Sequence, residues 1–281
     1  MSLAIAPPFL TQAPADVAAW VACVQARQMP VLAATADAIA ELGAIEDAVD
    51  ARMLSEALRS DPLMTLLLLR HVAEHRSSRA VTDTETVTAA LVLMGISPFF
   101  RAFSDLVTVQ DRLADLPAAM AGLRAVLDRS ARTARFALGF AVHRMDHDAD
   151  VIHEAALLHD FAEMLLWVHA PTLALEIAER QRNDPALRSA EVQRDLLNVA
   201  LADVQQALMK AWHLPELLVR ISDDRDSMSP QVRNVQLAIR VARHSAEGWG
   251  NAALPADVAE VAQLLNLSPD HAAQLLRELD A

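Results

Sequence analysis

The sequence predicts an all-α protein, a compact multi-helix bundle. Three observations lead there. The chain of 281 residues is 53% hydrophobic yet holds only 6 Gly, and Ala and Leu dominate over β-branched runs, a composition that favours helices. Its apolar stretches are longer than ordinary strands and carry helical spacing. No strong β pattern and no strict internal repeat accompanies them.

Taken in order, residues 1–14 carry Pro7, Pro8 and Pro14 and read as an irregular arm. Asp16 caps a helix to about Gln28, with Val17, Trp20, Val21 and Val24 on one core-facing side. Met29-Pro30 ends it, and a second helix from Val31 to Leu42 stops at Gly43. Asp50 to Leu58 is a third. Asp61-Pro62 opens a fourth, with Asp61 as cap and Pro62 at the first helical position; its run from Leu63 to Val72 is nearly all apolar and so buried. Glu74 to Thr82 is polar and reads as a loop. Thr84 or Thr86 starts a helix through Leu93, closed by Gly95, and Ser97-Pro98 starts the next through about Leu113.

Leu116-Pro117 marks the junction between two helical halves. A helix from about Ala118 to Arg144 follows, with a bend expected near Gly139, and His143 to Asp150 forms a polar turn. Ala155 to Pro171 then reads as one helix that is apolar on nearly every face, the signature of a helix buried among others. Three polar residues sit inside it: His159, Asp160 and Glu163. Buried polar groups are costly without partners. They are either a hydrogen-bonded histidine with an Arg-paired aspartate, or half of a metal site offering nitrogen and oxygen ligands. Thr172 to Arg182, Ala190 to Ala211, Glu216 to Ile221, Pro230 to Glu247, Pro255 to Leu265 and Ser268 to Leu279 complete the helices, with Trp212-His213-Leu214-Pro215 as a break.

Composition narrows the function classes. Net charge is -13, from 24 basic and 37 acidic residues, which argues against non-specific binding to nucleic acid or an anionic membrane. Cys23 is the single cysteine, so no intrachain disulfide forms and a reducing, cytoplasmic compartment is expected. No Lys or Arg precedes Arg27, so the charged start of a signal peptide is missing. No apolar run reaches the eighteen or so residues of a membrane span. The chain has no Gly-rich phosphate loop and no G-x-S-x-G elbow.

The run ALLHDFAEMLL, Ala156 to Leu166, resembles the GLLHDIGKLIL signature of the HD superfamily. Its surroundings are similar to the HDOD domain, an HD-related output domain of bacterial signalling proteins. Met29-Pro30 resembles the LPxLP opening, and Leu58 to Leu68 resembles IxxDPALTAKLL. Thr86 to Gly95 resembles SVxQAIxLLG, and Trp212 to Pro215 resembles WNLP. The resemblance implies an HD-like bundle in two helical sublobes: an arm and helix at 1–28, an HDOD domain at 29–250 (lobes 29–116 and 117–250), and C-terminal helices at 251–281 packing on the core.

HD phosphohydrolases hold divalent metals with an early His, the His-Asp pair and a late Asp. Two adjacent ligands alone close no coordination sphere. Here only His159 and Asp160 match. The early position falls on Arg129 or Ser130, and the Gly-Lys after the pair is Ala162-Glu163. A later His is replaced by Leu201, and a His pair by Asp223-Asp224. No Asp occurs between Asp226 and Asp257, where the late ligand belongs. Arg129 would oppose a cation and pair with Asp160 instead.

The expectation is therefore a non-catalytic bacterial signal-transduction module with no cofactor. It would act by binding a partner protein or a small ligand and would be capable of homo-oligomerising. Its remnant pocket comprises His159, Asp160, Arg129 and Glu163, and its interaction surface lies on the N-terminal lobe, with the Arg76–Arg79 loop included. Within 281 residues no further signalling domain is expected, so input or output acts in trans. The alternative is a metal-dependent phosphohydrolase using His159, Asp160, Asp223 and Asp224.

Further clusters read as solvated turns or as candidate ligand sets. His143, Asp146, His147, Asp148 and Asp150 share one turn, and Asp223, Asp224 and Asp226 another. His71 and His75 stand four apart. The last two helices suggest a helix-turn-helix, but Asp270, Glu278 and Asp280 against Arg277 give the second helix the wrong charge for DNA.

Overall fold

The structure is a computed structural model that describes residues 8–75, 85–184, 187–225 and 229–281. In chain order the helices are α1 (Val17–Gln25), α2 (Ala33–Gly43), α3 (Ala51–Leu58), α4 (Pro62–Glu74), α5 (Val87–Met94) and α6 (Ile96–Ala102). Then come α7 (Val109–Arg112), α8 (Pro117–His143), α9 (Ala149–Leu158), α10 (Phe161–His169), α11 (Pro171–Asn183) and α12 (Ser189–Leu197). The series closes with α13 (Leu201–Ala211), α14 (Glu216–Ile221), α15 (Pro230–His244), α16 (Leu254–Leu265) and α17 (Pro269–Asp280). The all-α expectation holds: among the described residues the β structure amounts to one isolated parallel bridge, Val31 to Thr108. No single helix among them is long and apolar enough to cross a membrane.

The chain forms two compact units. The first takes Met1–Val126 and Phe161–Leu214, the second Leu127–Asp160 and Pro215–Ala281. Leu116-Pro117, where the sequence places a junction, is the entry to α8, and the chain passes between the units within that helix.

In the first unit, helix starts follow the capping residues. Asp16 accepts from the N–H of Ala19, Asp50 from that of Met53, and Thr86 from that of Ala89. Asp61 is fully buried and does more. Its Oδ1 accepts from Leu63 and Met64 at 2.9 and 3.0 Å, and its Oδ2 accepts from Leu32 at 2.8 Å. One carboxylate thus starts α4 and fastens the chain segment entering α2. Behind that cap, Leu63, Met64, Leu66, Leu68 and Leu69 are buried, each contributing roughly 1.5–3 kcal/mol of burial. Helix α10 buries every residue except Glu163. Gly122 of α8 lies where the Trp167 ring leaves no space for a Cβ.

Three helices expected to be continuous are divided. Ser97-Pro98 to Leu113 becomes α6 and α7, because the segment between them reaches the Val31 bridge. Ala190 to Ala211 breaks at Asn198, whose φ of 64° is one Asn tolerates. The central stretch begins at Ala149, earlier than expected, and its hydrogen-bonded ladder stops at His159-Asp160 before resuming at Phe161. His71 and His75 stack on one another with ring centroids 4.2 Å apart. Of the expected polar loop, Glu74 is the last residue of α4. Residues 76–82 and Thr84, with the Arg76–Arg79 surface, lie outside the described residues.

In the second unit, Phe136 and Phe140 of α8 are buried, and Trp249 stands edge-on to Phe136 at 6.5 Å. The glycine at position 139 is explained by contact: a Cβ there would run into Leu279 of α17. The terminal helices are fastened by charge as well as by apolar contact. Arg132 donates to both oxygens of Asp280 at 2.9 Å and to Ser245 Oγ at 2.8 Å.

Candidate functional site

His159 and Asp160 occupy the turn that ends α9 in the second unit. Because the ladder is interrupted there, their side chains answer to partners from other helices. Arg129, on α8, brings Nε and an Nη to Asp160 Oδ2, both at 2.8 Å. Asp160 Oδ1 accepts from His159 Nδ1 at 3.0 Å and lies 3.9 Å from a guanidinium nitrogen of Arg243 on α15. The other edge of His159, Nε2, faces both oxygens of Asp224 at 3.2 Å. Asp224 follows α14, and its backbone carbonyl accepts from Gln236 of α15 at 2.8 Å.

The electrostatics follow from this chain of contacts. Burial disfavours charge on His159, but the bonds to Asp160 and Asp224 outweigh it and raise the ring to about 9. Burial likewise pushes Asp160 up, yet His159, Arg129 and Arg243 together hold its carboxyl far below the usual carboxylate range. Asp224 is held below its ordinary value because the bond to His159 overcomes burial. With these partners the ring is an imidazolium at neutral pH that donates from both nitrogens, and a metal ion would have to displace one of those protons to ligate it. Among the described residues no three His, Cys, Asp or Glu side chains are grouped to hold a metal ion.

The structure thus brings together Arg129, His159, Asp160 and Asp224. Asp223 does not join them; its carboxylate takes the Arg225 side chain at 2.8 and 3.1 Å. Glu163 is half-buried in the first turn of α10, in the first unit. Asp226 lies outside the described residues. In the polar turn before α9, Asp146 pairs with Arg144 at 3.3 Å and Asp148 accepts from Gln231 at 3.3 Å.

Beside His159 opens a cleft of about 540 Å³. Its charged lining is His159, Asp224, Arg233, Arg240, Arg243 and Glu260, and the buried side chains of Leu237 and Ile239 lie behind it. The three arginines were not singled out from the sequence. Their positions, i, i+7 and i+10 along α15, do mark one helix face, and that spacing was the signal available. Arg240 is committed to structure: it donates to Asp257 and, at 2.8 Å, to Glu260. Asp257 is buried and also takes His244 Nδ1.

Comparison with known proteins gives a consistent assignment. No curated protein matches the sequence. Among solved structures, the MmoQ response regulator from Methylococcus capsulatus str. Bath superposes with a TM-score of 0.66 at 21% identity, covering 89% of this chain and 98% of that one. A virulence factor from Campylobacter jejuni subsp. jejuni superposes with a TM-score of 0.62 at 15% identity, covering 89% of this chain and 90% of that one. At such identities the likeness is one of fold. The HDOD domain family matches residues 29–226, most of the sequence, and the chain belongs to that family.

Proposed function

We propose that this HDOD protein is a non-catalytic signal-transduction module of the bacterial cytoplasm that works by binding a partner protein or a small ligand. The observation that carries this reading is the state of Asp160. The carboxylate that would hold a metal in an HD phosphohydrolase is occupied by Arg129 and His159. A cation entering there would have to displace a guanidinium and deprotonate an imidazolium, both unfavourable. The site that remains is a degenerate metal site built as an ion-pair network. The likeness in fold to a response regulator supports a signalling role. The charge of -13 supports a partner other than nucleic acid.

Elemental analysis of protein purified without chelator and without added metal tests this reading. The expected result is no stoichiometric transition metal. With Mn²⁺ or Mg²⁺ supplied, no turnover of phosphomonoesters or cyclic nucleotides is expected. One metal per chain, or hydrolysis lost on substituting Asp160, would overturn it in favour of a phosphohydrolase.

A further inference from the structure

We propose that Arg27, Arg112 and His169 of the first unit form a binding site for a single carboxylate, beside the N-terminal arm at Phe9 and Leu10. The inference rests on the reading of the protein as a binding module, and it gives that module a site that uses no residue of the His159 network.

Backbone contacts draw the three groups together. Arg27 follows α1, and the residues after it pair with the approach to α7: Val31 donates to Val107 and accepts from Val109, both at 2.9 Å. Arg112 is the last residue of α7, and its guanidinium carbon lies 4.0 Å from the centroid of the Phe9 ring. The next residue of the arm, Leu10, donates at 2.8 Å to the carbonyl of His169, which ends α10. The charges of both arginines act on the His169 ring, and that of Arg27 acts on Arg112.

Unmet hydrogen bonding marks the cluster as a site. Nε of Arg27, one Nη of Arg112 and Nδ1 of His169 are all buried without a hydrogen-bond partner, and His169 is only 3% exposed. Buried donors are nearly always paired, because leaving one unpaired forfeits its hydration for nothing. Arg27 does donate from one Nη to the carbonyl of Cys23 at 2.7 Å, but a neutral carbonyl does not balance a charge. Among the described residues no carboxylate pairs with either arginine. Yet the chain has 37 acidic residues, and Arg70, Arg129, Arg132 and Arg240 each hold a carboxylate. Burial, followed by the charge of Arg27, lowers Arg112 from its ordinary value, as expected of like charges held together without a counterion.

Donor supply selects the ligand. An ionised carboxylate accepts only, through two oxygens with about four lone-pair directions, which suits two guanidinium N–H groups and one imidazole N–H. A phosphate dianion brings more oxygens and more charge, and burying it against so few donors leaves much of its hydration unreplaced. One carboxylate against two guanidiniums leaves one positive charge, which the face of Phe9 helps to hold beside Arg112. The His169 ring is neutral near pH 7 and serves as a donor rather than as a charge. A carboxylate arriving beside it raises its proton affinity, so occupancy is readable at the ring. The carboxylate of a free organic acid and that of a partner's acidic side chain share this chemistry.

The test titrates the full chain near neutral pH, at constant ionic strength in a buffer free of carboxylate, with acetate, with the peptide N-acetyl-Gly-Glu-Gly-amide and with inorganic phosphate. Two readouts are followed: the thermal unfolding midpoint, and the ring nitrogen signals of ¹⁵N-labelled histidine, with His169→Phe identifying the signal of His169. Acetate or the peptide should raise the midpoint saturably and move the His169 signal, with a Kd of about 1–10 mM. Both responses should weaken at least tenfold in Arg27→Gln/Arg112→Gln and change little in the exposed Arg180→Gln. Should the double variant fail to fold by circular dichroism, Arg112→Lys, which keeps the charge but loses the fork, should weaken them severalfold. A tighter response to the peptide than to acetate would assign the site to a partner's acidic side chain, and the reverse to a free organic acid. No saturable response to either probe by about 50 mM, a response unchanged in the arginine variants, or tighter binding of phosphate than of both would overturn the inference. None of these outcomes touches the non-catalytic reading, which metal content decides, and a stoichiometric metal would leave the carboxylate site standing.

Discussion

Replacing Arg129 by Met removes the principal cation on Asp160 while keeping an unbranched side chain of similar reach. The side chains of Asp160 and Arg129 are 13% and 24% exposed, so neither charge is well hydrated once its partner goes. Removing one member of a buried pair costs about 3–5 kcal/mol. Here His159 still donates to Asp160 at 3.0 Å and Arg129 is a quarter exposed, which lowers the expected cost to about 2 kcal/mol. Asp160→Leu removes the carboxylate that takes Arg129 at 2.8 Å and leaves His159 with Asp224, and should cost about 3 kcal/mol. In the double variant both charges of the pair are gone, so it should be more stable than the sum of the singles predicts, by about 1.5–2 kcal/mol. Urea unfolding of all four proteins, followed by circular dichroism near neutral pH, measures this coupling. A coupling below about 0.5 kcal/mol would mean that the two groups are screened by water. The claim that Arg129 occupies the carboxylate in place of a metal would then fail.

Two further outcomes follow from buried groups in the first unit. His169 is buried, and that burial, followed by the nearby charges of Arg27 and Arg112, lowers its ring from 6.5 to about 3. The folded value is the lower one, so the unfolded chain takes the extra proton first. Stability is complete above 6.5 and is lost as pH falls toward 3. Between pH 7.5 and about 4.5 the native chain should lose roughly 2–3 kcal/mol that His169→Phe does not lose, and parallel stability profiles for the two proteins would refute this. Asp61→Ala deletes the acceptor for three backbone N–H groups and should cost about 2–4 kcal/mol in urea unfolding. Asp61→Asn keeps one acceptor oxygen and should cost about half as much. A cost below about 0.5 kcal/mol for Asp61→Ala would show that water replaces the carboxylate, contrary to its burial.

Much of the fold was legible because its signals are local. The caps at Asp16, Asp61, Thr86 and Ser268 lie within three residues of the N–H groups they satisfy. The runs at Leu63 to Val72 and Phe161 to His169 are buried nearly throughout, as an all-apolar helix surface requires. Ser229 shows where such local reasoning stops. It stands at the start of α15 as a cap should, but its hydroxyl donates to Gln231 rather than accepting from the helix.

The sequence by itself determined an all-α chain, most of its helix boundaries, the HDOD resemblance and the His159-Asp160 pair in an otherwise apolar stretch. Each of these depends on residues adjacent in the chain or on a fixed period. Tertiary structure alone decided that the stretch breaks at this pair, that Asp224 and not Asp223 reaches His159, and that Arg233, Arg240 and Arg243 line one cleft with it. Asp224 lies 65 residues from His159, and Arg129 lies 31 from Asp160. Such partners are chosen by which helices pack together, and the free energy of a buried charge depends on that choice, which local pattern does not encode.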